Sequence, residues 1–276
     1  MKIFLGPAGI PTVAEDRTTE GGIKKVSELG LNSMEIEFVR NVYLSEKKAE
    51  EIGRLAKNFG ISLTVHAPYF INLLSDKKTT VEASKKRILE SLDRAERMGA
   101  KAVVVHAGYY GNLGKEEAME KMVKITEEIL EEMEKREIKK TLLAYETMAK
   151  ESQFAGLDEL LELMKRVKSK QLSVNVDFAH LFVRSNGKID YGEIFEKLKH
   201  FNHIFSHFSN VKYNINTKKF VDIHVQLNSH PPFKPLAEEI LKRKLNITII
   251  SESPVLEQDS LKMLQIFKKI DSKFEL

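Results

Sequence analysis

The chain of 276 residues contains no cysteine. That absence removes disulfides, thiolate-ligated zinc fingers and iron–sulfur clusters, and it suits a reducing compartment. Any metal must therefore sit on imidazole and carboxylate. Long hydrophobic runs are missing too, since no stretch approaches the roughly 18 apolar residues of a membrane span. The opening MKIFLGPAGIP has only a short apolar stretch, broken by Gly6, Pro7 and Pro11, too short for the core of a signal peptide. These absences predict a soluble cytoplasmic protein with no membrane contact. Nor is there a large excess of one charge: 44 basic against 40 acidic residues leave a net charge of +4 and a pI near 8.9. That excess permits attraction to a polyanion without demanding it. No low-complexity linker divides the chain, and its length suits one α/β barrel of roughly 250 residues. A single domain over 1–276 is expected.

What is present is a regular alternation. Apolar runs rich in Val, Ile and Leu recur as KIFLG, SMEIEF, SLTVHA, AVVVHA, TLLAYE, SVNVDF, IFSHFS and TIISES. Between them lie charged stretches with helical periodicity, such as EKKAEEIGRLAKNFG and KEEAMEKMVKITEEILEEMEKRE. Gly30, Gly60 and Gly99 each fall between a helical pattern and the next run, where a left-handed cap lets the chain reverse. Strand and helix in alternation imply parallel strands with right-handed crossovers. Eight such units favour a closed (β/α)8 TIM barrel over an open doubly wound sheet. The segment from about Phe208 to Phe233 reads as one long loop.

In a barrel the carboxyl ends of the strands share one face, where the chemistry lies. The third run ends at His66, the fourth at His106, the fifth at Glu146, the sixth at Asp177, the seventh near His207 and the eighth at Glu252. His180 follows Asp177 by three residues, and Asp222 and His224 lie in the long segment. Five imidazoles and four carboxylates are thus gathered without a matching set of Lys or Arg. Like charges so crowded require compensation, which divalent cations supply. Nitrogen and oxygen donors without sulfur suit Zn²⁺, Mn²⁺ or Fe²⁺, and nine ligands exceed what one ion uses. Two or three ions sharing a bridging carboxylate follow. His200, His203 and His230 fall outside this pattern and are expected to be structural.

As an ordered set, TVHAPYFINL, VVVHAG, AYET, VDFAH, HFSN, VDIH and ISES resemble the motifs of endonuclease IV, the metal-dependent apurinic/apyrimidinic endonucleases. The resemblance runs from the third run to the eighth. It implies three zinc ions per chain: His66, His106 and Glu146 around one, Glu146 bridging to a second on Asp177, His207 and Glu252, and His180, Asp222 and His224 around the third. Mn²⁺ or Fe²⁺ could replace zinc at some sites. It also implies a monomer that hydrolyses duplex DNA 5′ to an abasic site, with Glu146 orienting or deprotonating the attacking water. Tyr69 and Phe70 would wedge into the duplex, with Asn72, Arg40 and Asn41 as further DNA contacts. Lys212, Lys218 and Lys219 are candidate phosphate contacts.

The chain also departs from the family pattern. FLGPAGIP lacks the family's first-strand His and Ser, Tyr43 stands where an inserted Arg is often found, and AYETMAK lacks the Asn-Thr that follows the bridging Glu. QLNSHPPFKPL replaces a glycine-rich stretch. Two other readings therefore stand. Glu146, Asp177, His207 and Glu252 also resemble the single-metal tetrad of sugar isomerases and epimerases of the xylose-isomerase-like group. A barrel that binds damaged DNA without cleaving it is the other.

Overall fold

A computed structural model describes residues 1–276. Every apolar run forms a strand. These are β1 (Lys2–Pro7), β2 (Ser33–Glu37), β3 (Ser62–His66), β4 (Ala102–Val105), β5 (Leu142–Glu146), β6 (Leu172–Asp177) and β7 (Ile204–Phe208). A hairpin of β8 (Asn210–Asn214) and β9 (Lys219–Val225) comes next, and β10 (Asn246–Ser251) completes the series. The helices are α1 (Thr19–Glu28), α2 (Glu46–Asn58), α3 (Lys78–Met98), α4 (Lys115–Lys135), α5 (Leu157–Val167), α6 (Phe178–Arg184), α7 (Tyr191–Lys197), α8 (Phe233–Arg243) and α9 (Glu257–Ile270). Eight strands make one sheet in the order β1-β10-β7-β6-β5-β4-β3-β2. The fold is a TIM barrel.

The strands are apolar almost throughout because both faces of a parallel sheet are covered. All four residues of β4 are buried. The helices show the complementary pattern: on α4, Ala118, Met122, Ile125, Ile129 and Met133 are buried at intervals of three and four residues. Gly99 caps α3 at φ +67°, and Gly30 and Gly60 are likewise left-handed, as their positions predict. No helix is long and apolar enough to cross a membrane.

By internal packing the chain divides into two compact units: Met1–Glu35 with Asn58–Ser62 and Val176–Leu276, and Ile36–Lys57 with Leu63–Asn175. In the first, β1 pairs in parallel with β10, and β10 with β7. On its other side β1 meets β2, where Ala8 bridges Glu35 and the Gly9 amide donates to the Glu35 carbonyl at 2.9 Å. Gly6 makes that approach possible: a Cβ there would lie 1.6 Å from the Ser33 carbonyl oxygen. In the second unit β3, β4 and β5 run parallel in register, with His66 opposite Val104 and Val105 opposite Tyr145.

The segment expected as a loop after β7 is instead an antiparallel hairpin, with a bulge between Val211 and Lys212. KFVDIHV alternates with the period of a strand, but its charged positions masked the pattern among the buried parallel strands. The hairpin packs on α6 through Val211, Phe182 and Phe220, the two phenylalanine rings meeting edge-on at 4.6 Å.

Candidate metal centre

In the second unit, His66 and Glu146 are the last residues of β3 and β5, and His106 follows β4 directly. Their ligand atoms lie within 4.8 Å of one another. His66 Nε2 is 3.4 Å and His106 Nε2 3.2 Å from the same oxygen, Oε2 of Glu146. Parallel register brings these strand ends level, so three residues distant in sequence converge. The carboxylate is wholly buried and His66 nearly so. The Ala67 carbonyl, 2.8 Å from His66 Nδ1, holds that ring with Nε2 turned toward Glu146.

Tyr69 overlies this group, its ring centroid 5.2 Å from that of His66 and 5.9 Å from that of His106. It remains 49% exposed and its neighbour Phe70 63%. Asn72 faces inward: its Oδ1 accepts from the amides of Leu74 (3.2 Å) and Tyr109 (3.3 Å), joining the loop after β3 to the loop after β4. The Tyr69 amide donates to the Val39 carbonyl at 3.1 Å. That bond ties Tyr69 to the residue that precedes Arg40 and Asn41, both exposed.

In the first unit, Asp177 ends β6 and caps α6, its Oδ1 accepting from the His180 amide at 2.8 Å. This fixes the D-x-x-H pair: His180 Nδ1 lies 3.4 Å from Asp177 Oδ2, and its Nε2 lies 3.3 Å from Asp222 Oδ1. Asp222 and His224 alternate on one face of β9, and His224 Nε2 is 3.7 Å from Asp222 Oδ1. Ligand atoms of Asp177, His180 and His224 also lie within 4.8 Å of one another. His207 lies within β7, with Nδ1 3.2 Å from Glu252 Oε1.

The electrostatics follow from this crowding. Hydrogen bonds with His180 and then His224 hold the Asp222 carboxyl far below the usual carboxylate range. Burial pulls His224 down, but the hydrogen bond to Asp222 and the charges of Glu252 and Asp177 outweigh it and carry the ring up to about 9.

The donor set fits divalent cations. Imidazole nitrogens and carboxylate oxygens, buried or partly buried, converge within 4.8 Å in each group, without lysine or arginine among them. Residues 23–270 match the family described as xylose isomerase-like TIM barrel. The chain belongs to that family.

Within the xylose isomerase-like barrels, the chain is similar to an uncharacterized protein of Methanocaldococcus jannaschii, with 28% identity over 97% of this chain and 98% of the other. It is also similar to a probable endonuclease 4 of Mycoplasmopsis synoviae, 25% identical over 82% of each. Among solved structures, a D-tagatose 3-epimerase-like protein superposes with a TM-score of 0.73 at 22% identity, over 98% of this chain and 96% of that one. At that identity the likeness is one of fold.

Three residues near the centre escaped the sequence reading. Glu35, buried in β2, has Oε1 2.8 Å from His207 Nε2. Asn210 accepts from the amides of Asn228 and Ser229 and donates to the Pro231 carbonyl, shaping the stretch that replaces the glycine-rich one. Buried Asp259 accepts from the Leu227 amide at 2.6 Å and from the Ser253 hydroxyl. A glutamate in the middle of an apolar run, as in SMEIEF, was the available signal for the first. Asn210 closes the HFSN motif, which was its signal, and Asp259 had none.

The remaining histidines take structural places. His203 Nε2 lies 2.8 Å from Thr248 Oγ1 between the rings of Phe4 and Phe205, and His230 stacks on Phe182. His200 sits in the turn after α7.

Proposed function

We propose that this barrel is an apurinic/apyrimidinic endonuclease, hydrolysing the DNA phosphodiester 5′ to an abasic site. The observation that carries the reading is the size of the donor set: besides Glu146, Asp177, His207 and Glu252 there are His66 and His106, and His180, Asp222 and His224. A single-cation enolisation site has no use for the extra five. In this reading His66, His106 and Glu146, then Asp177, His207 and Glu252, and then His180, Asp222 and His224 would hold three zinc ions. Bound cations would supply Lewis acidity toward the phosphate and make water acidic enough to attack at neutral pH.

The side chains do the rest. Glu146 takes a proton from the attacking water, whose oxygen forms the new bond to phosphorus. The bond from phosphorus to the 3′ oxygen breaks, and the proton taken from the water is passed on to that oxygen, which leaves as a 3′ hydroxyl. Tyr69 and Phe70, exposed beside the pocket, stack against bases flanking the abasic nucleotide. Arg40, Asn41 and the exposed Lys212, Lys218 and Lys219 meet phosphates.

The second reading is a one-cation sugar epimerase, because Glu146, Asp177, His207 and Glu252 also resemble the single-metal tetrad of that group. One experiment separates them. Purified protein loaded with zinc is assayed on an abasic-site duplex and on ketohexoses, with bound metal counted. Cleavage abolished by a chelator and by Glu146→Gln, with about three ions per chain, is the expected result. Sugar epimerisation with one ion and no cleavage overturns the proposal.

A further inference from the structure

Three imidazoles of the centre are held from behind by an oxygen, and the oxygens differ. His66 Nδ1 faces the Ala67 carbonyl at 2.8 Å and His224 Nδ1 the Glu252 carbonyl at 3.2 Å. Both are neutral backbone acceptors. Behind His207 stands a carboxylate, Oε1 of Glu35 at 2.8 Å from Nε2, with both residues wholly buried.

Glu35 is pinned before its side chain is considered. Its carbonyl accepts from the Gly9 amide and its backbone bridges Ala8, at the seam where β1 and β2 approach through Gly6. The neighbours Met34 and Ile36 are buried hydrophobics, so alternation along β2 sends the Glu35 carboxylate to the opposite face. An ionised carboxylate at zero exposure is costly unless a donor meets it. Nε2 of His207, 2.8 Å from Glu35 Oε1, is placed to be such a donor when it carries the proton.

We infer that Glu35 is a positioning residue for the metal centre: it accepts the Nε2 proton of His207, fixes that tautomer, and turns the bare Nδ1 toward Glu252 and Asp177. The ligand atoms of Asp177, His207 and Glu252 lie within 4.8 Å of one another, with Nδ1 on the side of Glu252. A full negative charge behind the ring makes its other nitrogen a stronger donor than a backbone carbonyl does. The inference rests on reading these three residues as cation ligands, and holds for hydrolysis and epimerisation alike.

The test uses the full chain loaded with zinc alone. Ring ¹⁵N–¹H correlation spectra of its eight histidines identify the protonated nitrogen of His207. The expected result is Nε2 protonated and Nδ1 metal-bound. In parallel, Glu35→Gln, which keeps an acceptor but loses the charge, is titrated with zinc against a competing chelator. Affinity at the Asp177–His207–Glu252 position falls roughly 10- to 100-fold, while uptake at His66–His106 is unchanged. A proton on Nδ1, or Glu35→Gln binding within about twofold of the parent, overturns the inference and leaves the cation reading standing. A parent protein that takes no zinc at Asp177, His207 and Glu252 overturns both. The tautomer measurement needs no variant, so a Glu35→Gln chain that failed to fold would not shelter the inference.

Discussion

His66, His106 and Glu146 stand on or beside the ends of three parallel strands, whereas His180, Asp222 and His224 stand on the first turn of α6 and on a hairpin outside the main sheet. The first set inherits its geometry from strand register and from a core that cannot yield. The second depends on the Asp177 cap and on the packing of Phe220 and Val211 against α6. Burial does not divide the sets: His106, Asp222 and His224 are each partly open, while Glu146 and His180 are buried. A rigid scaffold preorganises ligands at no further cost in order. A peripheral hairpin must be ordered for its ligands to converge.

The largest effect that sharpens this contrast is Glu146→Gln. Cleavage of an abasic duplex is expected to fall by about 10³-fold or more, the upper range for loss of one electrostatic stabiliser. Bound metal should fall with it, since two imidazoles lose their common carboxylate. Asp222→Asn comes next, with a loss of about 10²-fold and retention of the ions on the strand ends. If both variants lose the same metal, as read by elemental analysis, the two sets are one cooperative cluster and the contrast breaks.

Tyr69→Ala removes no ligand. One stacked base is worth roughly 1–3 kcal/mol, so duplex affinity should weaken about tenfold with metal content unchanged. An unaltered binding isotherm would take Tyr69 out of the recognition surface.

The smallest effect is on the stability of metal-free protein. His224, raised to about 9 in the fold from an ordinary value near 6.5, contributes fully below that ordinary value and loses its contribution as pH climbs toward 9. Asp222, lowered in the fold, contributes above the ordinary carboxylate range and loses its contribution as acid protonates it. Hydrogen exchange at the hairpin amides should therefore be slowest between about pH 5 and 6.5. Added zinc should flatten the alkaline side, because loading displaces the His224 proton. Exchange that quickens as pH falls from 9 to 6.5, after correction for the intrinsic rate, would contradict the His224 assignment.

The same contrast governs what could be read without coordinates. Strands such as AVVV and TLLAYE are recognisable because double-sided burial leaves an apolar run, and a polar residue at its end stands out. His66, His106, Glu146 and Asp177 were visible for that reason. Asp222 and His224 were nameable through resemblance, but their hairpin was not, because an exposed two-stranded ribbon carries polar residues at most positions. Glu35 was missed for the opposite reason: it sits inside a run rather than at its end, and only the pairing of β1 with β2 shows what it faces. The loop-shaping bonds of Asn210 and Asp259 join segments far apart in the chain, and no local pattern encodes them.

One side-chain amide has a wider reach than its size suggests. Because Asn72 Oδ1 takes amide protons from both Leu74 and Tyr109, and a Cβ at Gly108 would crowd it at 2.3 Å, the loops after β3 and β4 are clasped into a single lip. Phe70 and Tyr109, both exposed, are thereby mounted on one mechanical piece. A fluorescent or isotopic label on Tyr109 is therefore expected to report on events at Phe70.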